Sequence, residues 1–187
     1  MNSETQQALF RTIPFFLLIM GVALGVRLTK LKPTDLYIHR PTSFKLLLVW
    51  CFAFLVYIFI TEVVLYRLGL LGSNPWMDSF WPSLIKLVGM VVLAPIAEEL
   101  FFRGVLLSRL RHWQVNKHLA ILIQASIFVL FHSAAFSMSW QASIGKVQIF
   151  TDAVLFGYAL YVTQSIYTPM VMHATGNAIA ALEQFIL

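Results

Sequence analysis

The 187-residue chain is short of charge: only 11% of its residues are Asp, Glu, Lys or Arg, while 59% are hydrophobic. A soluble domain usually carries about 25% charged residues. The shortage excludes an ordinary water-soluble enzyme and implies a polytopic membrane protein, in line with a mean hydropathy of +0.80. Cysteine is nearly absent. The single Cys51 lies inside an apolar run, which excludes an internal disulfide and a Cys-based metal cluster. Internal repeats and low-complexity linkers are also missing, so one membrane domain over 1–187 is the natural count. The net charge of +5 is not a nucleic-acid footprint. Its basic residues gather in two short segments between apolar runs, as topology determinants do.

Six apolar stretches are candidate helices, at about 9–28, 44–66, 82–111, 118–136, 147–164 and 167–187. Together they predict an all-α membrane bundle, since a span needs about 20 residues. The first stretch ends near Ala23-Leu24-Gly25, which resembles a signal-peptide cleavage site. Its flanks favour an uncleaved span, because only Arg11 precedes it while Arg27, Lys30, Lys32, Arg40 and Lys45 follow. A second basic segment, Arg109, Arg111 and Lys117, lies between the third and fourth stretches. Basic-rich and basic-poor connections alternate. This predicts a multi-pass protein with cytoplasmic basic loops and both termini outside, and the expected location is a prokaryotic-type cell (inner) membrane. Gly21 and Gly25 form a GxxxG pair suited to close helix approach.

Against this background a few polar residues stand out. The stretch LAPIAEELFFRGVLL holds Glu98, Glu99 and Arg103. Ionised groups in hydrocarbon cost about 2.5–3.5 kcal/mol each even on a lenient scale. Glu99 and Arg103 are four apart and share a helical face, so they can pair. Glu98 points about 100° away and keeps its carboxylate free of that pair. Pro95, just upstream, removes a backbone donor and can kink the helix. His132 lies on the fourth stretch, and His173 lies on the sixth with Asn177 four residues later on one face. Gln124 and Asp152 are intramembrane as well and read as structural. His39, His112 and His118 fall in loops or at span ends and read as solvated.

Depth brings the first group together. Glu98 precedes Trp113 by 15 residues, and His132 follows Lys117 by 15. At 1.5 Å per residue both lie about 22 Å from the hairpin turn. His173 is about 10 Å into its helix. The levels coincide if the hairpin projects beyond the membrane, and its polar residues suit that. Taken singly, an intramembrane His or Asn reads equally well as a helix–helix contact. A free Glu, two His and an Asn at one level point instead to a functional site. A base, a water and oxyanion donors are what amide hydrolysis needs. A His₂Glu zinc set of Glu98, His132 and His173 is the alternative use of the same residues. Ser133, beside His132, faces elsewhere, and Cys51 lies outside the cluster, so serine or cysteine nucleophiles are disfavoured.

EELFFR (Glu98, Glu99, Arg103) resembles the EExxxR motif of the CPBP intramembrane proteases, the CAAX-protease and bacteriocin-processing or Abi family. FVLFH (Phe128, His132) is similar to that family's FxxxH motif, and HATGN (His173, Asn177) to its HxxxN motif. The three occur in the family's order on three candidate helices, over about 95–178. The resemblance implies a membrane-embedded endopeptidase acting on membrane proteins or peptides. In it, Glu98 activates water with His132, and His173 and Asn177 hold the oxyanion. Glu99 and Arg103 support the site. It favours a metal-free site over a zinc-dependent one. Two other classes compete: a proteolytically silent scaffold or immunity protein of the same fold, and a proton-coupled transporter built on the Glu–His cluster.

Overall fold

The computed structural model describes residues 3–70, 79–132 and 138–186. These residues are helical almost throughout, with no strand among them. Six helical rods follow the six apolar stretches. α1 is Ser3–Thr29 and α2 is Phe44–Arg67. The third rod is composite: α3 (Phe80–Val88), a π-helical turn (Gly89–Leu93), α4 (Ala94–Glu99), a second π-helical segment (Leu100–Leu107) and α5 (Ser108–His112). α6 is Lys117–Leu130, α7 is Trp140–Thr163 and α8 is Tyr167–Ile186.

Local signals set the boundaries. Ser43 caps α2 by accepting from the Leu46 amide, and Ser139 caps α7 by accepting from the Ala142 amide. Asn116 takes the same place at the start of α6, accepting from the His118 amide at 3.0 Å. α2 stops where Gly69 turns left-handed at φ 66°, which lets the Leu70 amide reach back to Leu65 at 3.0 Å. The polar segment after α1 holds only a single 3₁₀ turn, Pro33–Leu36. Its neighbours are tied to the α7–α8 turn: the Ile166 amide donates to Tyr37 O, Thr42 N–H to Thr163 O, and Ser165 Oγ to His39 O. The basic loop and that turn therefore lie at one end of the bundle.

The core is divided among helix contacts. Leu107, Leu110, Ile121, Leu160 and Ile166 fill the end near the basic loops. Phe54, Ile58, Phe156 and Met172 join α2, α7 and α8. Phe102, Ala125, Phe128 and Ala153 join the third rod to α6 and α7. Outside this core α1 and α2 expose large apolar side chains, among them Phe16, Leu17, Leu24, Phe52 and Phe59. Water would not stabilise such a surface, whereas lipid does. Among the described residues two helices, α1 and α2, are long and apolar enough to cross a membrane.

Three expectations change. The fourth helix ends at Leu130, so His132 sits just past it rather than on it; positions 133–136, including Ser133, lie outside the described residues. The Gly21/Gly25 pair contacts nothing at its Cβ positions, whereas Gly89 presses on Thr12, where an added Cβ would collide with the threonine side chain. Close approach of α1 to the third rod is thus made at Gly89. His118 is not merely solvated, since its Nδ1 lies 2.6 Å from the Tyr158 hydroxyl.

Candidate active site

The site is built where the third rod departs from α-helical geometry. Two π-helical segments flank α4, so the six residues carrying both glutamates form a short α-helical island. Each π turn adds a residue to the repeat and re-aims the faces that follow it, a device common at functional sites.

Glu99 and Arg103 form the expected pair, with Nη1 2.9 Å from Oε1 and both side chains fully buried. The same Oε1 also lies 2.9 Å from Nδ1 of His173. Glu99 therefore serves two partners on two helices. Arg103 is enclosed further: Nη2 donates to the Ala153 carbonyl at 3.2 Å, and the guanidinium lies 4.7 Å from the Phe128 ring centre and 5.2 Å from that of Phe156. These aromatic faces compensate the cation where water is excluded.

Glu98 is placed differently. Its Oε2 is buried and has no hydrogen-bond partner in the protein. The nearest basic group is Nε2 of His173 at 3.8 Å, beyond hydrogen-bond length. His132 Nδ1 lies 2.8 Å from the Phe128 carbonyl. A carbonyl only accepts, so Nδ1 carries the proton, and the neutral ring presents Nε2 as a base. Asn177 donates from Nδ2 to the Met90 carbonyl at 2.8 Å. Glu98, His132, His173 and Asn177 line one cavity of about 710 Å³. The other walls are the apolar Pro14, Phe15, Leu18, Phe101 and Phe131, with Arg11 and Lys86 beside them.

Among the described residues no three His, Cys, Asp or Glu side chains are grouped so as to hold a metal ion. Glu98, His132 and His173 line the cavity without forming such a group.

Sequence reasoning missed several parts, and it named Phe128 only as a motif residue. Phe128 lies at the centre, with its ring 4.5 Å from that of His132, 6.0 Å from His173 and 4.8 Å from Phe102. Phe156 stacks on His173 at 5.2 Å. Gln124 buttresses the site, donating to the same Ala153 carbonyl that Arg103 uses, at 3.0 Å. Gln124, Phe128 and His132 are spaced by four, and that spacing is a signal for one shared face. Asp152 of α7 faces Tyr57 of α2 across the bundle.

Comparison with known proteins identifies the family. A family model described as type II CAAX prenyl endopeptidase Rce1-like matches residues 79–179, which include all seven motif residues. The chain is 28% identical over 131 residues to the UPF0177 protein YbdI of Lactococcus lactis subsp. lactis (strain IL1403), covering 63% of this chain and 68% of that one. No solved structure matches. The family match spans more than half of the chain, all-helical and apolar as a membrane bundle must be, and the chain therefore belongs to the Rce1-like family of membrane-embedded CAAX proteases.

Proposed function

We propose that the protein is an intramembrane endopeptidase in which Glu98 activates the attacking water. The observation that carries this reading is the unpartnered Glu98 Oε2, buried in a cavity shared with His132, His173 and Asn177. A carboxylate oxygen already bonded would be a weaker base. Glu99 also has a buried, unpartnered Oε2, but its Oε1 is held by Arg103 and His173 and it does not line the cavity. Glu98 takes a proton from water, the oxygen attacks the peptide carbonyl carbon, and the carbonyl becomes an oxyanion. His132, with Nε2 open, shares the proton and returns it to the leaving amine. His173 and Asn177 donate to the oxyanion. The Nδ1 proton of His173 is committed to Glu99, so Nε2 donates only from the imidazolium form. The reaction needs no metal, and we propose none.

The cavity walls suit an apolar peptide segment with an anionic group near it. Arg11 and Lys86 both line the cavity, and Glu98 is the lone acid among the lining residues. A chain-terminal carboxylate or an acidic side chain of a substrate would meet positive charge on that wall. We place the protein in a cell membrane as a multi-pass protein with its basic loops cytoplasmic, following the charge asymmetry.

The test is a proteomic comparison of membranes carrying wild-type or Glu98→Ala protein. Cleaved peptides present only with the wild type are expected. Identical cleavage patterns from two equally folded proteins would overturn the proposal and favour a silent scaffold.

A further inference from the structure

The first π turn ends at a proline for a chemical reason, and that reason reaches the active site. In a π-helix each amide donates to the carbonyl five residues back. The Ala94 amide does so, donating to Gly89 O. The next donor in the series would be residue 95, and its acceptor would be Met90 O. Residue 95 is a fully buried proline without an N–H. Met90 O is thereby deprived of its backbone partner, and a buried carbonyl left alone costs about 1–3 kcal/mol. Asn177, arriving from α8, supplies the missing donor at 2.8 Å. Since a carbonyl only accepts, the contacting atom of Asn177 must be its NH₂ group. One N–H of that group is thus fixed, and the direction of the other is fixed with it.

We infer that Pro95 is a positioning residue: by leaving the Met90 carbonyl without an amide, it captures and aims the Asn177 carboxamide in the cavity. The inference rests on the proposed protease reading only for the use of the second N–H. The link itself ties α8 to the π turn that precedes Glu98, whatever the chemistry.

Pro95→Ala provides the test, because it adds back the amide that Met90 O lacks. Alanine is also the best helix former, so the variant is expected to fold. With Met90 O satisfied by backbone, the bond from Asn177 becomes dispensable. In the wild-type background Asn177→Ala should lower Tm by about 2–4 °C. In the Pro95→Ala background the same change should lower it by much less. Such non-additivity marks groups that share a partner. Amide exchange at residue 95 of Pro95→Ala should be slow, reporting the new bond.

The second readout is catalytic. Pro95→Ala alone should lower kcat about tenfold with KM little changed, the signature of a donor misaimed only in the transition state. Additive Tm losses, or fast exchange at residue 95, would overturn the structural link. A non-additive Tm with an unchanged kcat would overturn the aiming role. The Tm and exchange arms need no activity, so a failure of the protease reading is distinguishable from a failure of this one.

Discussion

Glu99 Oε1 lies 2.9 Å from Nδ1 of His173, on the same oxygen that Arg103 holds at 2.9 Å. The two adjacent glutamates are therefore divided by environment. Glu99 is fully buried, commits Oε1 to two partners and joins the third rod to α8, while Glu98 lines the cavity and presents an unpartnered oxygen 3.8 Å from the other nitrogen of the same ring.

That division predicts opposite phenotypes for two neighbouring substitutions. Glu98→Gln should fold at wild-type yield, because no hydrogen bond of Glu98 Oε2 is lost. Its kcat should fall by about 10²–10⁴-fold, the usual contribution of a general base. Full activity in purified protein would remove Glu98 from the mechanism.

Glu99→Gln should instead fail in stability as well as in activity. It leaves a fully buried guanidinium without its counter-charge, a loss of about 3–5 kcal/mol when one partner of a buried pair is removed. Folded yield after detergent extraction, read beside activity, separates the two glutamates. Equal yields for both variants would contradict the assignment.

Arg103→Lys tests whether the cation or its shape matters. The guanidinium lies over two aromatic rings while reaching both Glu99 and the Ala153 carbonyl. An ammonium keeps the charge but loses the planar fork that makes these contacts together. A Tm drop of at least about 2–4 °C is expected. A silent Arg103→Lys would mean that charge alone suffices.

The Glu99–Arg103 pair was readable from spacing because both residues stand out in an apolar run, and the convergence of Glu98, His132 and His173 followed from counting residues to the hairpin turn. The π turns were not readable. They change the helical repeat without changing composition, so the hydrophobic pattern is silent about them. The Asn177–Met90 bond was hidden for a related reason: every residue has a carbonyl, and sequence does not mark which one lacks a donor. Phe128 was noticed as part of a motif, but among 16 phenylalanines nothing distinguished Phe128 and Phe156 as the rings around Arg103. The end of α6 before His132 was missed because the run remains apolar beyond the last helical turn.

Metal dependence is settled by chelation of the purified protein. Activity should survive exhaustive chelator treatment unchanged, and Zn²⁺ should add nothing. Loss restored by Zn²⁺ would replace the metal-free mechanism with one in which Glu98, His132 and His173 bind the ion after rearrangement.

The cationic wall gives a prediction about substrates. Arg11 of α1 and Lys86 of α3 line the cavity that holds Glu98. If they receive an anionic group, a peptide ending in a free carboxylate should bind better than its C-terminal amide. Arg11→Gln or Lys86→Gln should raise KM for the acid about tenfold, or 1.4 kcal/mol. Neither should alter KM for the amide, because that peptide has no charge to lose. Added salt should also raise KM for the acid alone, since partly exposed charges are screened within about 8–10 Å at moderate ionic strength. Anionic lipid in the vesicles supplies the competing source of negative charge. If phosphate headgroups occupy the wall, raising their fraction should inhibit cleavage of the acid and leave the amide untouched. Equal KM for acid and amide in neutral vesicles would show that the two cations serve the bundle rather than the substrate.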